Sequence, residues 1–244
     1  MSVCINNDLI WLSIPKCAST SIEDALMKSK LDVVHYEYGK NKDYNRHLHI
    51  RAKDLYEKFG LKETVCITRN YFDRWISGLK HIWDTYEKIN VPLIKKWEDV
   101  DNDFIYETFT DDYVNEIYIS GKNFPTIRNH NGKSIIDYSK VDPINLRGYG
   151  AFDEKKIVPN GIFIENILRS QLYIKDNEKC TYEFDISEID KFEKFIQNRY
   201  NIDFKLDTLN KTRFENNLII KDEKLKNWVW EKFEKRFVKS KNVI

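Results

Sequence analysis

The sequence lacks the features that announce a membrane, a metal centre or a disulfide scaffold. No apolar run approaches the roughly 18 residues of a membrane span. The first expected strand begins near Asp8, which leaves no room for the charged and apolar regions of a signal peptide. The four cysteines, Cys4, Cys17, Cys66 and Cys180, are scattered without a C-x-x-C pair. That argues against a zinc knuckle and a disulfide framework and fits a reducing compartment. An excess of charge of one sign is also missing: 40 basic and 39 acidic residues leave a formal charge of +1, so global electrostatics call for neither nucleic acid nor an anionic membrane as partner. Any anion site must be local. There is no internal repeat and no low-complexity tract. The expectation is a cytoplasmic protein without a membrane span, a nucleic-acid partner or a metal; its oligomeric state is not legible.

What is present is an alternation of strands and helices. The 244 residues, 41% of them hydrophobic and 14% aromatic, suffice for one well-filled domain over 1–244. "LIWLSI" is a short apolar run ended by Pro15, and "STSIEDALMKS" follows with hydroxyls, a carboxylate and helix formers. "LDVVHYEY" reads as a second strand, and "IRAKDLYEKFG" as a helix closed by Gly60. "TVCIT" is a buried-type strand with Arg69 at its end, and "YFDRWISGLKHIWDTYEKI" has the apolar spacing of a helix. From about 90 to 160 the pattern is irregular, apart from an acidic helix around "DDYVNEIYI". Order returns with "GIFIENILRSQL", a strand running into a helix, and with two amphipathic helices, "SEIDKFEKFIQNRY" and "KLKNWVWEKFEKRFV". Such alternation predicts an α/β fold with a central parallel sheet covered on both faces.

Two segments carry chemistry. In "IPKCASTSI" a strand turns into a helix through small and hydroxyl residues beside a lysine. A helix N-terminus offers unpaired N–H groups and the positive end of the macrodipole, so this turn is suited to a phosphate or sulfate. Ala18 and Ser19 allow close backbone approach, Ser19, Thr20 and Ser21 offer hydroxyls, and Lys16 a mobile charge; Cys17 lies within the same turn. The bland alternative is a capped turn with an exposed lysine. In "TRNYFDRWISGLK" Arg69 ends one strand and Ser77 lies about two turns into the next helix, suited to a second anion. The bland alternative there is an arginine paired with a carboxylate and a solvent-facing serine. A nucleotide kinase or NTPase would need GxxxxGK[ST], whereas here the lysine comes first and the glycines are missing.

Taken together, "IPKCASTS" resembles the 5'-phosphosulfate loop, and "RNYFDRWIS" the 3'-phosphate segment, of sulfotransferases that use 3'-phosphoadenosine 5'-phosphosulfate (PAPS). The likeness is greatest to carbohydrate sulfotransferases of the heparan sulfate 2-O type. "GIFIENIL" resembles the family's strand with a glutamate before a helix, here Glu165, and "LNKTR" its late loop near the cofactor, which implies Lys211 and Arg213 as further cofactor-binding residues. Two departures stand out: Tyr71 replaces the proline common after the Arg-Asn pair, and no run of this sequence is expected to serve as the membrane anchor of the Golgi enzymes.

The resemblance implies a three-layer, P-loop-NTPase-like sulfotransferase fold. It also implies transfer of a sulfuryl group from PAPS to a hydroxyl-bearing acceptor, expected to be a sugar or glycan. A small alcohol, a lipid or a tyrosine is the alternative acceptor, and a non-catalytic nucleotide-binding module the alternative function.

Lys16 is the candidate for charge on the leaving side. The acceptor proton needs a base, and the chain offers His35, His47, His49, His81 and His130. The resembled enzymes carry a His-x-His whose second histidine is the base, which implies His49, with His47 in reserve. An extended backbone would send these two side chains to opposite faces. A zinc site on them lacks further ligands nearby. The acidic run from Glu98 to Glu116 lies in the expected acceptor region, where it would repel a heavily sulfated chain or simply form a solvated face.

Overall fold

The structure, a computed structural model, describes residues 2–35, 49–88, 90–119, 135–140, 166–176, 179–207 and 216–238. The chain divides into two compact units. The first comprises Met1–Arg74, Ser170–Lys211 and Arg236–Ile244, and the second Trp75–Arg169 and Thr212–Lys235.

The first unit is built on a five-stranded sheet. Its strands are β1 (Val3–Ile5), β2 (Leu9–Trp11), β3 (Val33–His35), β4 (Glu63–Thr68) and β5 (Tyr182–Asp185), in the order β3-β1-β2-β4-β5. β1 pairs antiparallel with both β2 and β3, whereas β2–β4 and β4–β5 are parallel. Four strands therefore run one way and β1 the other, so the sheet is mixed where a parallel one was expected.

The reversal comes from a hairpin. Asn6 and Asn7 both take positive φ, 46° and 55°, as the central residues of a type I′ turn must, and asparagine tolerates this region better than most residues. Asp8 N–H donates to the Ile5 carbonyl at 3.0 Å to close the turn.

α1 (Ser19–Lys28) connects β2 to β3, and α2 (Ala52–Phe59), stopped by Gly60 at φ 79°, precedes β4. α3 (Tyr71–Lys88) begins in this unit. Asn70 Oδ1 accepts the N–H groups of Phe72 and Asp73 at 3.0 and 3.3 Å, so the helix starts cleanly on Tyr71 without a proline there. After β5, Asp185 and Glu188 form a capping box that opens the way to a helix over Ile189–Tyr200. The core gathers Leu9, Ile10, Trp11, Val65, Cys66 and Ile67 from the central strands with Ile22 and Leu26 of α1, Leu55 of α2, and Phe192 and Ile196.

In the second unit α3 continues, and α4 (Asn102–Thr108) and α5 (Asp111–Ile119) follow. Within the stretch expected to be irregular, α5 is the acidic helix that was anticipated and α4 is one that was not. Asp101 caps α4 by accepting from Phe104 N–H at 2.8 Å. Trp75, Phe109 and Phe233 pack with ring centroids 5.5 to 6.2 Å apart. Trp83 stacks edge-on against Trp97 at 5.5 Å. These fully buried rings are core, as aromatic stripes at helical spacing generally are. At Gly78 an added Cβ would lie 2.9 Å from Leu168 Cδ2, so glycine permits that close approach. No helix among the described residues is long and apolar enough to cross a membrane.

Candidate functional site

β2, β4 and β5 are parallel, so their C-terminal ends share one edge of the sheet. The chain leaves β2 for β3 on one side and leaves β4 for β5 on the other. Neighbouring strands whose connections diverge open a crevice at their carboxyl ends, where α/β proteins bind ligands. The turn after β2 and Arg69 after β4 are the two segments that flank it.

Beyond β2, Leu12 N–H donates to the Val65 carbonyl at 2.9 Å and Ser13 N–H to Ser2 Oγ at 3.0 Å, which carries the extended chain up to Ile14. The turn then takes positive φ at Lys16 (61°) and Ala18 (58°), with Cys17 between them outside that region. Positive φ at two non-glycine residues is a strained backbone of the kind that clusters at ligand sites. Ala18 is the N-cap of α1; it makes no side-chain cap, and the first turn, Ser19 to Ser21, holds no acidic residue. The positive end of the helix is therefore not neutralised by its own side chains. Cys17 is fully buried in the core and its N–H donates to Ile14 O at 3.3 Å. Its thiol packs within the apolar core of the first unit.

Arg69 is held through its backbone. Gln171, the first residue of α6 (Gln171–Ile174), donates through Nε2 to the Arg69 carbonyl at 3.1 Å and accepts the Arg69 N–H on Oε1 at 3.4 Å. Asp185, paired with Thr68 in the sheet register, has its carboxyl held below the usual range. The hydroxyl of Ser187 acts first in this, then its N–H, and the charge of Arg69 adds to both. Arg69 thus has an acidic neighbour at the sheet edge, as the bland reading anticipated. Among the described residues, however, its guanidinium makes no ion pair within bonding distance. Ser77 is half-buried on α3 in the second unit.

His49 is the residue that the structure brings to this edge. Its Nδ1 lies 2.9 Å from the carbonyl oxygen of Ser13 and 3.3 Å from Ser13 Oγ. A carbonyl only accepts, so Nδ1 carries the proton and the lone pair of the neutral ring belongs to Nε2. The segment after His49 is pinned by Asp176, which pairs with Arg51 and accepts the Lys53 N–H on Oδ2 at 2.7 Å. The Arg51 guanidinium lies over the Tyr173 ring, 4.6 Å from its centroid. Sequence reading passed over Ser13, Gln171 and Asp176. Their partners lie 36, 102 and, for Arg51–Asp176, 125 positions away in the chain, and no local pattern marks them.

Of the other expected site residues, His47, Lys211 and Arg213 lie outside the described residues, as do Glu165 and His130. His35 sits on β3, with Nε2 3.1 Å from Met27 Sδ, and His81 lies on α3 in the second unit. In the acidic run, Asp101 caps α4 and Asp111 pairs with Lys232 at 2.6 Å, so two of its carboxylates have structural partners. No family model, no curated protein and no solved structure matches this chain.

Proposed function

We propose that the chain is a PAPS-dependent sulfotransferase that transfers a sulfuryl group to a hydroxyl acceptor, a sugar or glycan by the resemblance of its motifs. The observation that carries this reading is the hydrogen bond from His49 Nδ1 to the Ser13 carbonyl. It sets an imidazole with a basic Nε2 against Ser13, three residues before Lys16, beside a strand-to-helix turn suited to an anion. A general base and an anion cradle at the same strand end are what sulfuryl transfer to a hydroxyl requires.

The residues present fit the nucleotide. The turn at Lys16–Ala18 and the start of α1, which no side chain caps, suit the 5'-phosphosulfate, and Arg69 the 3'-phosphate. When bound, PAPS supplies an activated sulfuryl group on a phosphate leaving group. Lys16 and the α1 N–H groups would then stabilise charge on the leaving phosphate, and His49 Nε2 would take the proton from the acceptor hydroxyl. The right-handed rule for crossovers places α1 and α2 on opposite faces of the sheet, in keeping with a three-layer sulfotransferase fold, with β1 as an antiparallel insertion.

The test is calorimetric titration of the full chain with 3'-phosphoadenosine 5'-phosphate, followed by an acceptor screen with sulfur-labelled PAPS. Lys16→Ala and Arg69→Ala should each weaken nucleotide binding by about one to two decades, since a charge-assisted contact contributes roughly 1.5 to 3 kcal/mol. Wild-type affinity in both folded variants would refute the site.

A further inference from the structure

The cysteines that look scattered in sequence are not all scattered in space. Cys66 of β4 and Cys180, just before β5, are brought together with Glu183 so that their two Sγ atoms and a carboxylate oxygen lie within 4.8 Å of one another. Lys175 reaches into the group and donates to Glu183 Oε1 at 2.6 Å, and the same oxygen accepts the Cys180 N–H at 2.8 Å.

Three of these residues differ in exposure: Cys66 is 0%, Cys180 6% and Lys175 9% exposed. Cys180 is therefore the less completely buried of the two cysteines, and both belong to the core of the unit. The cluster makes a poor divalent-metal site. It offers three donor side chains, and the ammonium already bound to Glu183 would repel an arriving cation.

We propose that Cys66 and Cys180 are an oxidisable dithiol, in which Cys180 reacts with a hydroperoxide and Cys66 resolves the product to an intramolecular disulfide.

The cluster favours this order of events. The neighbouring Cys66 thiol, and with it the charge of Lys175, hold the Cys180 thiol below its ordinary value against the opposing effect of burial. The Cys66 thiol, beside Cys180 and deeply buried, is raised. Thiolate character selects the attacking sulfur.

In the first step the Cys180 sulfur attacks one peroxide oxygen and the O–O bond breaks. The departing oxygen takes up the thiol proton as water or alcohol, leaving Cys180 as a sulfenic acid. In the second the Cys66 sulfur attacks the Cys180 sulfur. The S–S bond forms, the S–O bond breaks, and water leaves with the Cys66 proton. Two thiols and one hydroperoxide become a disulfide, a water and a second water or alcohol. The resulting bridge would tie β4 to the segment that enters β5.

The experiment treats the full, folded chain with hydrogen peroxide, alkylates the remaining thiols after denaturation, and maps peptides by mass spectrometry with and without dithiothreitol. The expected product is a single reducible Cys66–Cys180 link, with Cys4 and Cys17 still alkylated. Lys175→Gln should slow its appearance by about fivefold or more, because it removes the charge that favours the thiolate. If that variant fails to fold, Cys66→Ser replaces it. There, Cys180 should persist as a sulfenic acid that a dimedone-type probe captures. Full alkylation of both Cys66 and Cys180 in the wild-type chain, under peroxide that consumes glutathione in the same tube, would overturn the proposal. A disulfide to Cys4 or Cys17 in their place would do so equally.

Discussion

His49 shows how a single side chain acquires a role from its neighbours. A histidine in a loop has no fixed tautomer, and either nitrogen can carry the proton. The Ser13 carbonyl at 2.9 Å removes that choice and sets Nε2 as the basic atom. If Nε2 takes the acceptor proton, His49→Ala should lower kcat by roughly 10² to 10⁴ while leaving affinity for 3'-phosphoadenosine 5'-phosphate nearly unchanged, since the base acts on the acceptor side alone. Single-turnover rates and calorimetry on the same preparation separate the two quantities. A parallel loss of nucleotide affinity would make His49 a support of the turn and not the base. The sequence motif pointed to His49, but the residue that orients it was beyond its reach, because a backbone carbonyl has no signature in sequence. Lys16 was legible for a different reason: a lysine among small residues at a strand-to-helix turn is a local pattern. That the turn takes positive φ at Lys16 and Ala18 was not, since neither is a glycine.

At the scale of elements, α2 depends on a residue far away in the chain. Its N-cap, Arg51, makes no side-chain cap, and the N–H of Lys53 in the first turn is met by Asp176, which also neutralises Arg51. Asp176 thus supplies the cap that the local sequence omits. Asp176→Ala should destabilise the protein by about 2 kcal/mol, from the combined loss of a cap and a charge-assisted hydrogen bond. Asp176→Asn should cost less, since asparagine keeps an acceptor and tolerates the positive φ of 55° at this position. Urea unfolding of the three proteins checks both; equal stability of wild type and the alanine variant would show that α2 needs no such cap.

The same contrast explains which elements could be read. α2, α3 and the helix over Ile189–Tyr200 bury one face each and so carry a 3.6-residue period. β1 and β5, of three and four residues, are too short for a period to show. β5 owes its place to pairing with β4 more than a hundred positions earlier.

Across the whole of the first unit, the two edges of the sheet serve different ends. Lys16, His49 and Arg69 gather where the parallel strands finish, while the opposite edge is tied by charge. There Arg199 donates to Asp8 at 2.8 Å and pairs with Glu63 at 2.7 Å. Tyr182 Oη donates to Glu63 at 2.9 Å and Tyr200 Oη to Asp8 at 2.7 Å. The β1–β2 turn, the starts of β4 and β5 and the end of the helix over Ile189–Tyr200 are thereby joined, four segments spread from residue 8 to residue 200.

The guanidinium of Arg199, and after it the Tyr182 hydroxyl, hold the Glu63 carboxyl below its ordinary value. A carboxyl lowered on folding stabilises the native state fully above its unfolded pKa, about 4.3 for glutamate. That contribution is lost as pH falls through the lowered folded value. Glu63→Gln should therefore lower the Tm at neutral pH, and the gap to wild type should close as pH falls through the acid range. Because these side chains are partly exposed, added salt should also narrow the gap. Thermal unfolding followed by circular dichroism from neutral to acid pH, at low and at high salt, reads both effects. A gap that stays constant down to pH values where every carboxyl is protonated would mean that Glu63 acts there by packing and hydrogen bonding, with its charge irrelevant to the edge it closes.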